Sequence, residues 1–483
     1  MLFNSIDFAI FLPIVFILYW FVTNKNLKLQ NLLIVAASYL FYGWWDYRFL
    51  SLILFSTLVD YSVGRRLRTE NNQTIRKVLL WTSIIVNLGF LGFFKYYNFF
   101  LDNFITAFSF FGSEINANSL NIILPVGISF YTFQTLSYSI DVYKRKLEPT
   151  KDFIAFSAFV SFFPQLVAGP IERATHLLPQ FYKKRNFDYG KAVDGMRQIL
   201  WGLFKKIVIA DNCAEYANLI FNNSADYSGS TLVLGALFFT FQIYGDFSGY
   251  SDIAIGTSRL FGFNLMQNFN FPYFSRDIAE FWRRWHISLS TWFRDYLYIP
   301  LGGSRGGTWM KVRNTFTIFI VSGFWHGANL TFLIWGALNA IYFLPLLLTK
   351  NNRTNIEIVA QGRSLPNIKE FSLMLLTFSL TVFAWIFFRA ENIGHAFFII
   401  SRIFSESIFS FSTSWTNGYI TILHISLVLV FVLIEWINRE YDFVLQRIAN
   451  YVFWRRVVYF LIVFLILFTS DYHSKQEFIY FQF

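Results

Sequence analysis

FSLMLLTFSLTVFAWIFF, residues 371–388, carries no charged side chain. An α-helix rises about 1.5 Å per residue, so a run of this length nearly matches the ~30 Å hydrocarbon thickness of a bilayer. Similar runs recur on both sides of it, at 419–436 and 457–469 toward the C-terminus and at 331–348, 78–94, 49–63, 31–45 and 8–22 toward the N-terminus. The whole chain has the same character, with 55% hydrophobic and 14% charged residues and 63 Phe, 26 Tyr and 15 Trp. Soluble domains carry roughly 25% charged residues. A soluble globule has no place for so much apolar surface, whereas lipid leaves it uncovered at no cost, provided the backbone satisfies its own polar groups. The in-out alternation of a membrane barrel is absent from these runs. The fold is therefore predicted to be all-α, a polytopic transmembrane helical bundle of roughly 10 to 12 crossings plus re-entrant segments.

Charge placement predicts the orientation, because short cytoplasmic loops are enriched in Lys and Arg. Lys25 and Lys28 follow the first run, and Arg65, Arg66, Arg68, Arg76 and Lys77 follow the third. Lys350, Arg353, Arg363 and Lys369 form one later basic loop, and Arg439, Arg447, Arg455 and Arg456 another. Placing these loops inside puts both termini outside. The net charge of +11 is spread over loops and forms no single stripe, so it reads as a topology signal and gives no reason to invoke nucleic acid. The first run has neither a basic region before it nor a small-residue cleavage site after it, and is expected to stay as a helix. One cysteine, Cys213, leaves no internal disulfide and no multi-cysteine zinc site. No internal repeat or long linker is visible. A single domain is expected over residues 1–483, with N-terminal helices over 1–160, a motif-bearing core over 161–345 and C-terminal helices over 346–483.

Polar groups are costly inside an apolar framework, so they mark where function is to be sought. In FWRRWHISLSTWFRDYLYIP, residues 281–300, the residues Trp282, Trp285, His286, Leu289, Trp292, Phe293 and Tyr296 recur at spacings of three and four, which predicts one face of one helix. His286 lies on that aromatic stripe. Arg283, Arg284, Ser290, Arg294 and Asp295 lie off it, as on an interfacial helix. A core histidine bonded to a backbone carbonyl is the bland alternative.

His326 sits in SGFWHGAN, residues 322–329, between two apolar runs whose far ends are basic (Lys311, Arg313 and Lys350). That pattern predicts a hairpin entering the membrane with His326 at its turn, where Gly323 and Gly327 allow a turn or a close approach. A neutral imidazole there is able to take a proton from an alcohol; a hydrogen-bonded turn histidine is the alternative. FFPQLVAGPIER, residues 162–173, has Pro164, Gly169 and Pro170 too close together for a regular helix. Irregular backbone at membrane depth has to be packed in protein or line a cavity. Asp246 and Asp252, in QIYGDFSGYSDIAIG, lie ~120° apart on a helix, so spacing does not make them a catalytic pair. One of them is free to orient a histidine or to pair with an arginine; helix capping is equally open. No His-Glu-x-x-His spacing is present, no metal site is expected, and LGGSRGG (residues 301–307) lacks a phosphate-loop lysine pattern.

Several tracts in one order resemble the membrane-bound O-acyltransferase family: MLFNSIDFAIFLPIVFILYW at the start, AASYLFYGWWDYRFL, FFPQLVAGPI, YGDFSGYSDIAIG, FWRRWHISLSTWFRDYLYIPLGG and SGFWHGANLTFLIWG. The likeness is to the bacterial alginate O-acetylation branch, related to the D-alanyl transferase of teichoic acid, and extends to AWIFFRA at 384–390. The resemblance implies a helical bundle in the bacterial inner membrane with a central tunnel, where a cytoplasmic acyl thioester such as acetyl-CoA meets an acceptor and no cofactor is tightly bound. It implies His326 as the catalytic histidine and His286 as the second polar position. Trp325, Asp246, Arg283, Arg284 and Arg313 are the expected substrate-binding residues, the arginines for the donor's phosphates. It also implies a periplasmic or membrane-anchored SGNH-type partner that passes the acyl group to a polysaccharide. Relatives often carry a further histidine where this chain has Asn339, in WGALNA. A polysaccharide or lipid transporter and a noncatalytic export scaffold are the rival readings; transporters often show repeated halves, and none is visible here.

Overall fold

The computed structural model describes residues 1–110, 119–410, 418–448, 451–470 and 478–479. Among them there are helices and no strand, and each apolar run named above falls within or across helical segments. The expected outer C-terminus, at residues 480–483, lies outside the described residues. Six helices among the described residues are long and apolar enough to cross a membrane: Gln73–Ser109, Gly229–Leu260, Leu330–Leu348, Ile368–Arg389, Ile420–Asn438 and Val452–Thr469. Ile6–Val22, Phe153–Leu166 and Ile393–Ile403 are shorter apolar helices. This is a polytopic all-α membrane protein.

Two compact units divide the chain, one of Met1–Gly195 with Ala254–Met266 and one of Met196–Ile253 with Gln267–Phe483. In the first unit, helix starts carry polar caps: Asn26 Oδ1 accepts from the backbone of Lys28 and Leu29, Asn72 Oδ1 from Thr74 and Ile75, and Asp152 Oδ1 from Ile154 and Ala155. Each cap satisfies backbone donors that a helix start would otherwise leave open. Ile6, Ile10, Ile14, Ile17 and Phe21 form an exposed apolar stripe along the first helix. Surface of that kind belongs against lipid. Deep in this unit Asp60 accepts hydrogen bonds from Ser56, Ser83, Asn87 and Ser139, so the buried carboxylate is held by neutral donors. The 162–173 tract is irregular and almost wholly buried in protein, as expected of backbone at membrane depth.

The second unit holds both candidate histidines and a large aromatic core. Val452–Thr469 turns Phe460, Leu467 and Phe468 outward. Its interior, by contrast, contains charge. The Lys206 ammonium lies 2.7 Å from Asp211 and 2.8 Å from Asp246, and Lys205 lies 2.7 Å from Asp252. Tyr244 donates its hydroxyl to the Glu435 carboxylate at 2.9 Å. Charges buried this deeply are tolerated where they are paired.

Candidate active site

His286 does not lie within a continuous helix. One helix, Ile278–Arg284, starts on Asp277, whose Oδ1 accepts from Glu280 N at 2.7 Å, and ends before Trp285; a second begins at Ile287. Between them Trp285 is extended and His286 has φ 42° and ψ 53°. The predicted single stripe over 281–300 is thus broken, because segment 268–270 takes over the backbone: Asn270 N donates to Arg284 O and Ile287 N to Asn268 O, both at 2.9 Å. A left-handed conformation at a residue with a Cβ costs about 1–3 kcal/mol and persists where its surroundings dictate it. Here the same segment that breaks the helix also holds the imidazole.

Asn268 Oδ1 lies 3.1 Å from His286 Nδ1, and it accepts from the Ser288 hydroxyl at 2.8 Å as well. The Asn268 amide nitrogen donates to Ser251 Oγ at 3.0 Å, which orients the carbonyl toward His286. A carbonyl oxygen only accepts, so Nδ1 carries the proton and Nε2 presents its lone pair. That Nε2 is buried and has no hydrogen-bond partner among the described residues. Burial pushes the His286 imidazole down to about 3, so it is neutral at physiological pH. Phe247 and Phe269 pack on the ring, with centroids at 4.5 and 6.2 Å.

His326 closes the helix Thr308–His326, which packs along Leu330–Leu348 as the predicted hairpin. Asn329 caps the returning helix by accepting from Thr331 N at 3.0 Å. The two helices approach through glycine. A Cβ on Gly323 would lie 3.0 Å from the Phe332 carbonyl carbon and nearer still to its oxygen, and one on Gly336 would lie 3.0 Å from the Phe319 carbonyl carbon. The His326 ring is buried among Trp325, Trp335 and Phe388, at centroid distances of 4.9, 5.2 and 5.2 Å. Trp325 also lies 6.1 Å from His286. The two histidines therefore flank one indole.

A cavity of about 320 Å³ lies between the same helices, although neither histidine nor Trp325 lines it. Arg283, Arg294 and Arg353 line it, together with Trp282 and Ser322, the latter one helical turn before His326. Arg283 donates to the Asn352 and Asn355 carbonyls at 2.8 and 2.6 Å, and Arg294 pairs with Asp295 at 2.7 Å.

Other expected substrate residues are engaged elsewhere. Arg284 turns inward onto Glu280 at 2.9 Å, a carboxylate that also holds Arg276 at 3.0 Å, so its guanidinium is engaged within the protein. Arg313 donates to Leu301 O and Asn314 Oδ1 and does not line the cavity. Asp246 is bound by Lys206 and by the backbone N–H of Ile479 at 2.7 Å; it does not orient either histidine. Asn339 accepts from Trp282 Nε1 at 3.2 Å and donates to Trp335 O, bracing the aromatic wall. Among the described residues no group of three or more His, Cys, Asp or Glu is placed to hold a metal ion. Sequence reading missed Asn268, Lys206 and Arg353. Only the helix-breaking Asn-Phe-Asn-Phe-Pro at 268–272 hinted that the chain returns here.

A family model described as MBOAT, membrane-bound O-acyltransferase family, matches residues 145–388, a span that includes both histidines. A curated protein of Pseudomonas aeruginosa, named "Probable alginate O-acetylase AlgI", is 41% identical over 416 residues, covering 86% of this chain and 76% of that protein. The "Peptidoglycan O-acetyltransferase" of Helicobacter pylori is 37% identical over 425 residues, covering 82% and 78%. The "Teichoic acid D-alanyltransferase" of Bacillus subtilis is 29% identical over 235 residues, covering 46% and 58%.

Proposed function

The chain belongs to the membrane-bound O-acyltransferase family and is a multi-pass membrane acyltransferase; from that premise we propose that it moves acetyl from a cytoplasmic thioester such as acetyl-CoA across a bacterial inner membrane for O-acetylation of an extracellular polysaccharide. The observation that carries the reading is the pair of buried histidines on either side of Trp325, one with a fixed tautomer and an open Nε2. Acetyl as the acyl group is supported by the names of the relatives that align over most of their length.

In the proposed step His326 takes the proton of an acceptor hydroxyl as that oxygen attacks the thioester carbonyl. The C–O bond forms, the C–S bond breaks, and the thiolate leaves to be protonated. His286 Nε2 accepts a hydrogen bond from donor or acceptor and so orients it beside the indole. His326 rather than His286 is assigned as base because it occupies the Trp-His-Gly string that the family resemblance marks as catalytic. Arg283, with Arg294 and Arg353, holds the donor's phosphates at the cavity mouth, the guanidinium fork suiting phosphate oxygens. Arg284 and Arg313, also expected at those phosphates, do not line this cavity. Positioning both reactants in a dry aromatic enclosure supplies much of the rate.

The acceptor that receives the acetyl first is an SGNH-type partner, periplasmic or membrane-anchored, and both termini face the same outer side, in keeping with the basic loops. Peptidoglycan is the second candidate polymer, on the strength of the Helicobacter relative. Membrane vesicles holding this protein, supplied with acetyl-labelled CoA from the cytoplasmic side and with an SGNH-type partner from the same cells, test the reading. Label on the partner and then on polysaccharide is expected. Label that stays on CoA in vesicles with folded enzyme would refute it, and label on peptidoglycan would select the second polymer.

A further inference from the structure

We propose that the first unit carries a phosphate site that takes the headgroup of an anionic membrane lipid. Two adjoining cavities, of about 760 and 350 Å³, share a wall made by Trp20, Lys184, Arg185, Asn186 and Phe187. The larger is lined by five basic side chains and one carboxylate, Asp188. Asp188 is already engaged, its Oδ1 accepting from Lys191 N at 3.1 Å at the start of the following helix. Lys183, Lys184 and Lys191 are exposed at the cavity and make no ion pair among the described residues. Arg185 is buried and, among the described residues, pairs with no carboxylate. Its guanidinium donates to Asn31 Oδ1 at 2.7 Å and lies 4.8 Å from the centre of the Phe263 ring. This leaves a cationic hollow whose chemical complement is a phosphate.

The smaller cavity identifies the source of that phosphate. It adds Lys25 on one side and Phe16 and Phe21 on the other. Phe21, 76% exposed, ends the lipid-facing stripe that begins at Ile6. Tyr19 and Trp20 fasten the same turn, donating to Phe261 O at 3.0 Å and Leu260 O at 2.9 Å. Aromatic anchors of this type sit at headgroup depth. Cations therefore cluster where an apolar helix surface runs out, with an apolar slot leading back along it. A soluble phosphate would use the cations alone, whereas an amphiphile uses both cavities. The lysines also stand on the side that the basic loops assign to the cytoplasm, where anionic lipids attract juxtamembrane cations.

The detergent-purified full-length protein is to be mixed with phosphatidylglycerol, phosphatidylcholine or inorganic phosphate and lipid retention measured by native mass spectrometry. Phosphatidylglycerol is expected to be retained in preference to phosphatidylcholine. Substituting Lys183→Gln, Lys184→Gln and Lys191→Gln together is expected to weaken that retention on the order of a hundredfold, from the contribution of each basic residue to anionic-lipid attraction. A charge-matched variant at the other basic loop of this unit, Arg65→Gln, Arg68→Gln and Lys77→Gln, is expected to retain the lipid. Equal loss in both variants would reduce the effect to diffuse charge and overturn the site, as would unchanged retention in the first. Complete displacement of the lipid by millimolar inorganic phosphate would assign the hollow to a soluble phosphate and overturn the lipid assignment.

Discussion

Replacing Gly323 by Ala perturbs the hairpin that carries His326 without touching either histidine. A methyl there would stand 3.0 Å from the Phe332 carbonyl carbon and closer to its oxygen, where ordinary contacts begin near 3.4 Å. The obstacle is backbone, so no rotamer change relieves it. The two helices have to part by on the order of 1 Å, an overpacking that costs about 1–3 kcal/mol. His326 lies three residues further on and moves with the helix. A displacement of about 1 Å at a reacting group lowers rate by on the order of 10²-fold. Acyl transfer by purified protein, alongside its melting temperature, measures both effects. Gly89→Ala is the control, since a methyl there meets nothing within 4 Å and alanine favours the helix by up to about 1 kcal/mol. Wild-type rate and melting in the Gly323 variant would refute the claim that close backbone approach fixes His326.

Replacing Asn268 by Leu removes the carbonyl that accepts from the His286 Nδ1–H and from the Ser288 hydroxyl, at about 1–3 kcal/mol for a buried donor left unsatisfied; a clear fall in melting temperature and in rate is expected. Lys206→Met leaves the buried Asp246 carboxylate without its cation and beside the half-buried Asp211, and a loss of about 3–5 kcal/mol should appear as reduced yield and lowered melting. Because His286 is held near 3 in the folded protein against about 6.5 when exposed, the folded state refuses a proton that the unfolded state accepts. Its stabilising contribution is therefore present above about pH 6.5 and erodes below it, by up to about 1.4 kcal/mol per pH unit. The melting temperature of His286→Gln is expected to fall less steeply than that of the wild type between neutral and mildly acid pH; parallel curves would count against a neutral buried His286.

Much of this was legible along the chain because the relevant forces are local. Apolar length marked the helices, and glycines around Trp325 and His326 marked a tight hairpin. What escaped was set by distant partners. The stripe from Trp282 to Tyr296 has helical spacing, yet hydrogen bonds from segment 268–270 break it at His286. Arg284 and Asp246 looked available for substrate because a sequence does not show that Glu280 and Lys206 fold onto them. Arg353 joins the cavity from a polar loop some seventy residues beyond Arg283.

The central claim is that His326 removes the acceptor's proton. The most direct measurement is the rate of acyl transfer by purified His326→Gln, with melting temperature and donor binding recorded on the same preparation. General-base catalysis contributes about 10²–10⁴-fold, so the rate should fall by at least about 10²-fold while melting and donor binding stay near wild type. A folded His326→Gln enzyme that transfers acyl groups within a few-fold of the wild-type rate would contradict it.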